Sequence, residues 1–203
     1  MTTFTLPQLI ALAAVLGFAS GVRLYAVLFI VGLAGFSGWV QLPPGLHVLE
    51  HPAVLVLAGL MCIAEFVADK IPAIDTLWDA VHTFIRIPAG AALAAGALGA
   101  DGPTWAVIAA LAGGSLAATS HFTKAGARAA VNTSPEPFSN IAVSTSEDLA
   151  IGGLLWLVLT FPLIAAAIVL LLVLAAAWVL PKLLRFVRRV FLRRGDTSPT
   201  STG

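Results

Sequence analysis

Seven ionisable side chains fall within one 22-residue stretch of an otherwise apolar chain: Glu65, Asp69, Lys70, Asp75, Asp79, His82 and Arg86. Pro72 divides the stretch into two helical pieces. Before it, Glu65 and Asp69 are four residues apart and share a face. After it, Asp75, Asp79, His82 and Arg86 stand at offsets of 0, 4, 7 and 11, the stripe of a single helical face. Leu77, Trp78, Val81 and Ile85 occupy the rest of that helix. Such a stripe must meet water, lipid headgroups or an interior polar cavity. Three chemistries are open to it. Carboxylates and an imidazole can exchange protons, arginine can hold a phosphate or carboxylate, and Asp75, Asp79 and His82 are donor types that suit a hard divalent metal.

The elements that must position these groups are membrane helices. The 203 residues are 59% hydrophobic and 10% charged, with a mean hydropathy of +0.98, whereas soluble domains carry roughly 25% charged residues. The fold expected is all-α: a polytopic membrane bundle of about six helical segments, with interrupted helices near both ends. Residues 1–181 form the integral domain, 182–194 a basic amphipathic juxtamembrane helix and 195–203 a disordered tail. The lone Cys62 excludes an internal disulfide and a cysteine-built zinc cluster. Met1 to Thr5 lacks the basic start of a signal peptide.

Leu6 to Gly35 is apolar except for Gln8, Ser20 and Arg23. A straight helix of that length is about 45 Å long, well beyond a hydrocarbon core of about 30 Å. Either one long tilted helix or two short ones broken at Ser20-Gly21 would serve, and the break is favoured. It would start the second helix near Arg23, where backbone N–H groups and a guanidinium could face an anion together. Phe36 to His51 reads as a wet loop carrying His47 and His51, and Pro52 to Ala68 as a span. Pro88 to Gly99 is a short Ala/Gly-rich segment. Thr104 to Ser120 spans and continues as a polar extension with His121, Lys124, Arg128 and Asn132 on one face. The stretch from Asn132 to Asn140 is expected to be non-helical, because Pro135 and Pro137 interrupt it. Helix resumes near Ser144, with Glu147 and Asp148 matching its dipole. It breaks at Thr160-Phe161-Pro162 and returns as a span to Leu180.

The residues EFVADKIPAIDTLWDAVHTFIRIPAG (65–90), SGVRLY (20–25) and NTSPEPFSN (132–140) together resemble a bacterial and plastid membrane family called domain of unknown function 4126. The resemblance covers about Leu6 to Leu170 and leaves out the basic tail. It implies an integral membrane protein and supplies no activity, substrate or cofactor. Function has to be read from the site.

Of the readings open, a small inner-membrane transporter or lipid translocase for an anionic substrate uses most of the sequence, with proton coupling as an option. Arg23, Arg86, Lys124 and Arg128 are the candidate substrate-binding cations, and Glu65, Asp69, Asp79 and His82 the candidate proton-coupling groups. A charge at the centre of a spanning helix costs about 2.5–3.5 kcal/mol on the insertion scale, so these groups are expected to face one another or a polar cavity. One alternative is a structural or assembly protein whose charges form interhelical ion pairs. Another is a metal-dependent enzyme acting on lipid phosphates, although no HExxH, GxSxG or nucleotide-lipid signature is present. No catalytic residue, metal or cofactor is assigned. The expected partners are membrane lipids, through anionic headgroups at Lys182, Arg185, Arg188, Arg189, Arg193 and Arg194, and a homo-oligomer stays open. Nucleic acid is not expected, because the basic cluster is juxtamembrane. The basic end places the C-terminus in the cytoplasm of a bacterial inner membrane.

Overall fold

The computed structural model describes residues 4–99, 102–131 and 137–194. They form six α-helices: α1 (Leu6–Phe36), α2 (Pro52–Ala68), α3 (Pro72–Leu98), α4 (Pro103–Val131), α5 (Pro137–Thr160) and α6 (Pro162–Arg194), with a short 3-10 helix at Pro44–Glu50 before α2. The chain is a polytopic helical bundle with no strand among the described residues. Five helices are long and apolar enough to cross a membrane, and a sixth span results if the bent pair Pro44–Glu50 and Pro52–Ala68 is taken as one. Each of α2 to α6 begins on a proline, whose missing N–H would have no partner in a first turn anyway. The outward faces of α2 and of the spanning part of α6 are apolar: Val56, Leu57, Leu60 and Ile63 of α2 and Leu170, Leu171, Leu174 and Trp178 of α6 are all exposed, as lipid-facing helices require.

The centre of the bundle is α1, and it is not straight. Arg23 has non-helical backbone angles, φ −142° and ψ 75°. Near the start of the helix, Phe4 and Leu9 line a cleft with Leu42 and Pro43. Near its end, Gly35 packs so closely that an added Cβ would stand 2.7 Å from Leu42 Cδ1. One leucine cannot reach both ends of a rod about 45 Å long. α1 therefore folds back at Arg23, with legs of about 25 Å and 20 Å, and its apex lies at the far end of the bundle from Leu42. The expected break is present, two residues after Gly21, at the arginine itself.

Small residues let the legs sit deep. A Cβ on Gly17 would stand 2.7 Å from Gly113 Cα, and one on Gly113 would stand 2.3 Å from Ala94 Cβ and 2.8 Å from the Gly90 carbonyl. Backbones of α1, α3 and α4 thus approach with no side chain between them. Leu12, Val15, Leu16, Val27 and Val31 of α1, Leu93 and Ala97 of α3, and Leu155 and Val158 of α5 fill the remaining core.

Two expectations about segments need correction. Pro88 to Gly99 is no separate piece, because α3 runs unbroken from Pro72 to Leu98 with Pro88 inside it; its Ala/Gly face is gripped by α1 and α4, which holds the helix through the proline. Helix α5 starts at Pro137 rather than near Ser144, since a proline at the first helical position opens a helix as readily as it breaks one. Residues 132–136 lie outside the described residues. Pro181 sits inside α6, so the expected basic helix joins the last span without a break. The expected tail, 195–203, is outside the described residues.

Candidate functional site

The apex of α1 meets the ends of four other helices in a cluster of ionised side chains. From α1 comes Arg23, from α2 Glu65, from the short connection Asp69 and Lys70, and from α3 Asp75, Asp79 and Arg86. Helix α4 adds Lys124 and Arg128, and α5 adds Glu147 and Asp148. Arg23, Glu65, Asp69, Asp75, Asp79, Arg86, Lys124 and Arg128 are all 5% exposed or less. Surface stripes on isolated helices become interior groups because each stripe faces the others.

The contacts form a ladder of alternating sign. Glu65 Oε1 and Asp79 Oδ1 each accept from Arg86 at 2.7 Å. Asp79 Oδ1 is 3.5 Å from Lys124 Nζ, which lies 2.6 Å from Asp69 Oδ2. The same Asp69 oxygen is 2.5 Å from Arg23, whose other nitrogen reaches Asp148 at 2.9 Å and the Ser144 carbonyl and hydroxyl at 3.1 Å each. Lys70 closes the outer edge at 3.3 Å from Asp148. Beside the ladder, Arg128 donates to Glu147 at 2.8 Å and to Asn140 Oδ1 at 2.7 Å. Asn140 Nδ2 in turn donates to the Asp69 carbonyl at 3.1 Å.

Two consequences of the broken helix serve this cluster. The break at Arg23 leaves the Val22 carbonyl open to Lys124 Nζ, 3.3 Å away. It also lets Arg23 project from a turn rather than a helix face, so that it reaches both the α2–α3 connection and α5. Burial by itself would push the Asp69 carboxyl up, but Lys124 and Arg23 beside it hold it below the ordinary carboxylate value. Taking such pairs out of water costs several kcal/mol per ion, and their mutual attraction and hydrogen bonds offset that cost only as a set.

The structure brings together every expected cation, Arg23, Arg86, Lys124 and Arg128, with the expected acids Glu65, Asp69 and Asp79. His82 stands apart from the ladder. Its Nδ1 is 2.8 Å from the Trp78 carbonyl, which requires a proton there, and Nε2 accepts from the Tyr25 hydroxyl at 3.1 Å. Trp78 stacks on it with centroids 4.2 Å apart. The imidazole adjoining the ladder is His121, with Nε2 2.7 Å from Thr83 Oγ1 and Nδ1 3.4 Å from Arg86. His47 and His51 are elsewhere: His47 bonds the Leu42 carbonyl and His51 caps α2. At the basic end, Lys182 lies over the Trp178 ring and Arg185 bonds the Pro181 carbonyl. The side chains of Arg188, Arg189, Arg193 and Arg194 lie outside the described residues.

Sequence reasoning gives no binding role to Asn140, Ser144, Glu147 or Asp148. Their spacing carries the signal, offsets of 0, 4, 7 and 8 along one helical face. It is invisible while Asn140 is assigned to a loop.

Two clefts open onto the cluster. One, of about 180 Å³, lies between α3 and α4 and is lined by Thr76, Asp79, Thr83, His121 and Arg128 among others. The second, of about 300 Å³, is bounded by α1, α4 and α6; its walls include Phe18, Val22, Leu172 and Val179, and it carries Lys124 and Glu147.

A family profile described as domain of unknown function (DUF4126) matches residues 10–182, most of the chain. The chain belongs to that family. No curated protein and no solved structure matches it.

Proposed function

We propose that this member of the domain of unknown function 4126 family is a small membrane transporter or lipid translocase for an anionic group. The observation that carries the reading is the placement of Arg23 at the apex of a helix folded back inside the bundle, within one cluster of buried cations and acids. A broken helix that presents charge deep in a bundle is a recurrent way of building a transport site. Here the acids occupy the cations as an incoming anion would. Binding at Arg23, Lys124 or Arg128 therefore means displacing Asp69 or Glu147, and a displaced carboxylate gains affinity for a proton. Anion binding at these cations is thereby linked to proton uptake at Asp69 or Asp79, and binding at Arg86 to uptake at Glu65. The apolar cleft ending at Lys124 suits an acyl chain whose headgroup phosphate sits on the lysine. The polar cleft at Asp79 and Arg128 suits a free anion.

The orientation belongs to the same proposal. The connections at the Leu42 end, residues 37–51, 99–103 and 161, contain no Lys or Arg, while Lys182 to Arg194 contains six. The positive-inside rule then puts the cluster end and the C-terminus in the cytoplasm of a bacterial inner membrane.

The test is flux in proteoliposomes with two arms, flip of a labelled anionic phospholipid and uptake of labelled phosphate. Wild type is compared with Arg23→Ala, Asp79→Asn and Arg128→Ala. Loss of about tenfold or more in one arm supports the reading and identifies the source of the anion. Equal flux in all three folded variants contradicts it.

A second reading has its own observation: each of the five cations already has an acid within 4.0 Å, as a purely structural network would. On that reading the variants lose stability while wild type shows no flux in either arm.

A further inference from the structure

We infer that Asp69, Asp75 and Asp79 form a binding site for one monovalent cation of sodium's size. Three observations converge on it. First, the three carboxylates each offer an oxygen, and those oxygens all lie within 4.8 Å of one another. A single ion about 2.3–2.6 Å from each oxygen, the range for calcium, spans such separations. Sodium has nearly the same ionic radius.

Second, Asp75 is fully buried and neither of its oxygens has a hydrogen-bond partner. Among the described residues no Lys or Arg forms an ion pair with Asp75, whereas Asp69 and Asp79 are paired. Those two turn only one oxygen each to the cations. Asp69 Oδ2 takes Arg23 and Lys124, and Asp79 Oδ1 takes Arg86 and Lys124. Asp69 Oδ1 and Asp79 Oδ2 are left without partners. Each of the three clustered carboxylates thus keeps at least one oxygen without a hydrogen-bond partner. A buried carboxylate stays ionised only beside a counter-charge and otherwise takes up a proton.

Third, the charges do not balance. Glu65, Asp69, Asp75, Asp79, Glu147 and Asp148 are six acids against five cations, Arg23, Lys70, Arg86, Lys124 and Arg128. One positive charge makes the cluster neutral, while a divalent ion would leave it positive. Charge selects a monovalent ion, and the spacing accommodates one of sodium's size. The site does not depend on anion transport, and its test reads binding rather than flux, so either can fail alone. If both hold, the ion loads the acids and leaves the cations for an anion.

The experiment is thermal unfolding of the full-length protein in nanodiscs at neutral pH, in sodium chloride or choline chloride at matched ionic strength. Sodium at a hundredfold excess over Kd is expected to raise the midpoint by about 5–10 °C. Asp75→Asn removes the unpaired charge, so the variant is expected to melt higher than wild type in choline and to gain nothing from sodium. Absence of a sodium increment in wild type overturns the proposal, whether or not the variant folds. So does a larger increment from calcium or magnesium, a midpoint that rises on acidification but not with sodium, or a sodium increment that survives in Asp75→Asn.

Discussion

The same three helices, α1, α3 and α4, hold the bundle together in two different ways. Toward the Leu42 end, Gly17, Gly90 and Gly113 let backbones touch, and the contact is one of shape. Toward the apex of α1, Arg23, Arg86 and Lys124 meet Glu65, Asp69 and Asp79, and the contact is one of charge. A shape contact has a single good arrangement. A charge contact can be re-made with a proton, an ion or a substrate group in place of one partner. The glycine region is thus the fixed part of the molecule, and the ladder is the part whose contents can change.

That contrast predicts different responses to damage. The largest effect is expected from Arg86→Ala, which strands Glu65 in the interior and takes from Asp79 its closest partner, at a cost of about 3–5 kcal/mol. Adding Glu65→Gln and Asp79→Asn to it should recover part of the loss, as measured by unfolding in nanodiscs; no recovery would mean that shape governs this region too. Next comes Gly17→Ala, whose Cβ meets Gly113 backbone at 2.7 Å. About 1–3 kcal/mol of destabilisation is expected from overpacking, with no rescue by any charge change. Ser120→Ala removes a hydroxyl that donates to the Phe18 carbonyl at 2.6 Å, at a cost of about 1 kcal/mol. The smallest effect belongs to Lys182→Gln and Arg185→Gln, each expected to weaken attraction to anionic lipid by about 1 kcal/mol, read as vesicle affinity of a peptide covering the basic segment.

Much of this was legible before any coordinates. Charge in an apolar chain is rare enough that Arg23, Glu65, Asp69, Asp79, Arg86, Lys124 and Arg128 stand out by type and spacing, and helical periodicity puts each on a face. The folding back of α1 was half legible. Its length called for a break, but only the reach of Leu42 to both ends shows that the legs double back. The α5 contribution was hidden because prolines read as breakers: Pro137 opens the helix that carries Asn140, Glu147 and Asp148. His82 shows the opposite failure. It shares a stripe with Asp79 and Arg86, yet Trp78 and Tyr25 supply neutral partners that hold it off the ladder. A helical face tells which residues point the same way, and not which of them a neighbouring helix engages.

The most direct measurement is flux through Lys124→Met, which keeps most of the side chain's length and removes the cation that, among the described residues, Asp69 and Asp79 share. In proteoliposomes, beside wild type and with folding checked by the same melting profile, the variant is expected to carry less than about a tenth of the wild-type flux of the transported anion, a rise of about 1.4 kcal/mol or more in the barrier. Wild-type flux through a folded Lys124→Met protein would contradict the claim that the ladder is where the anion binds.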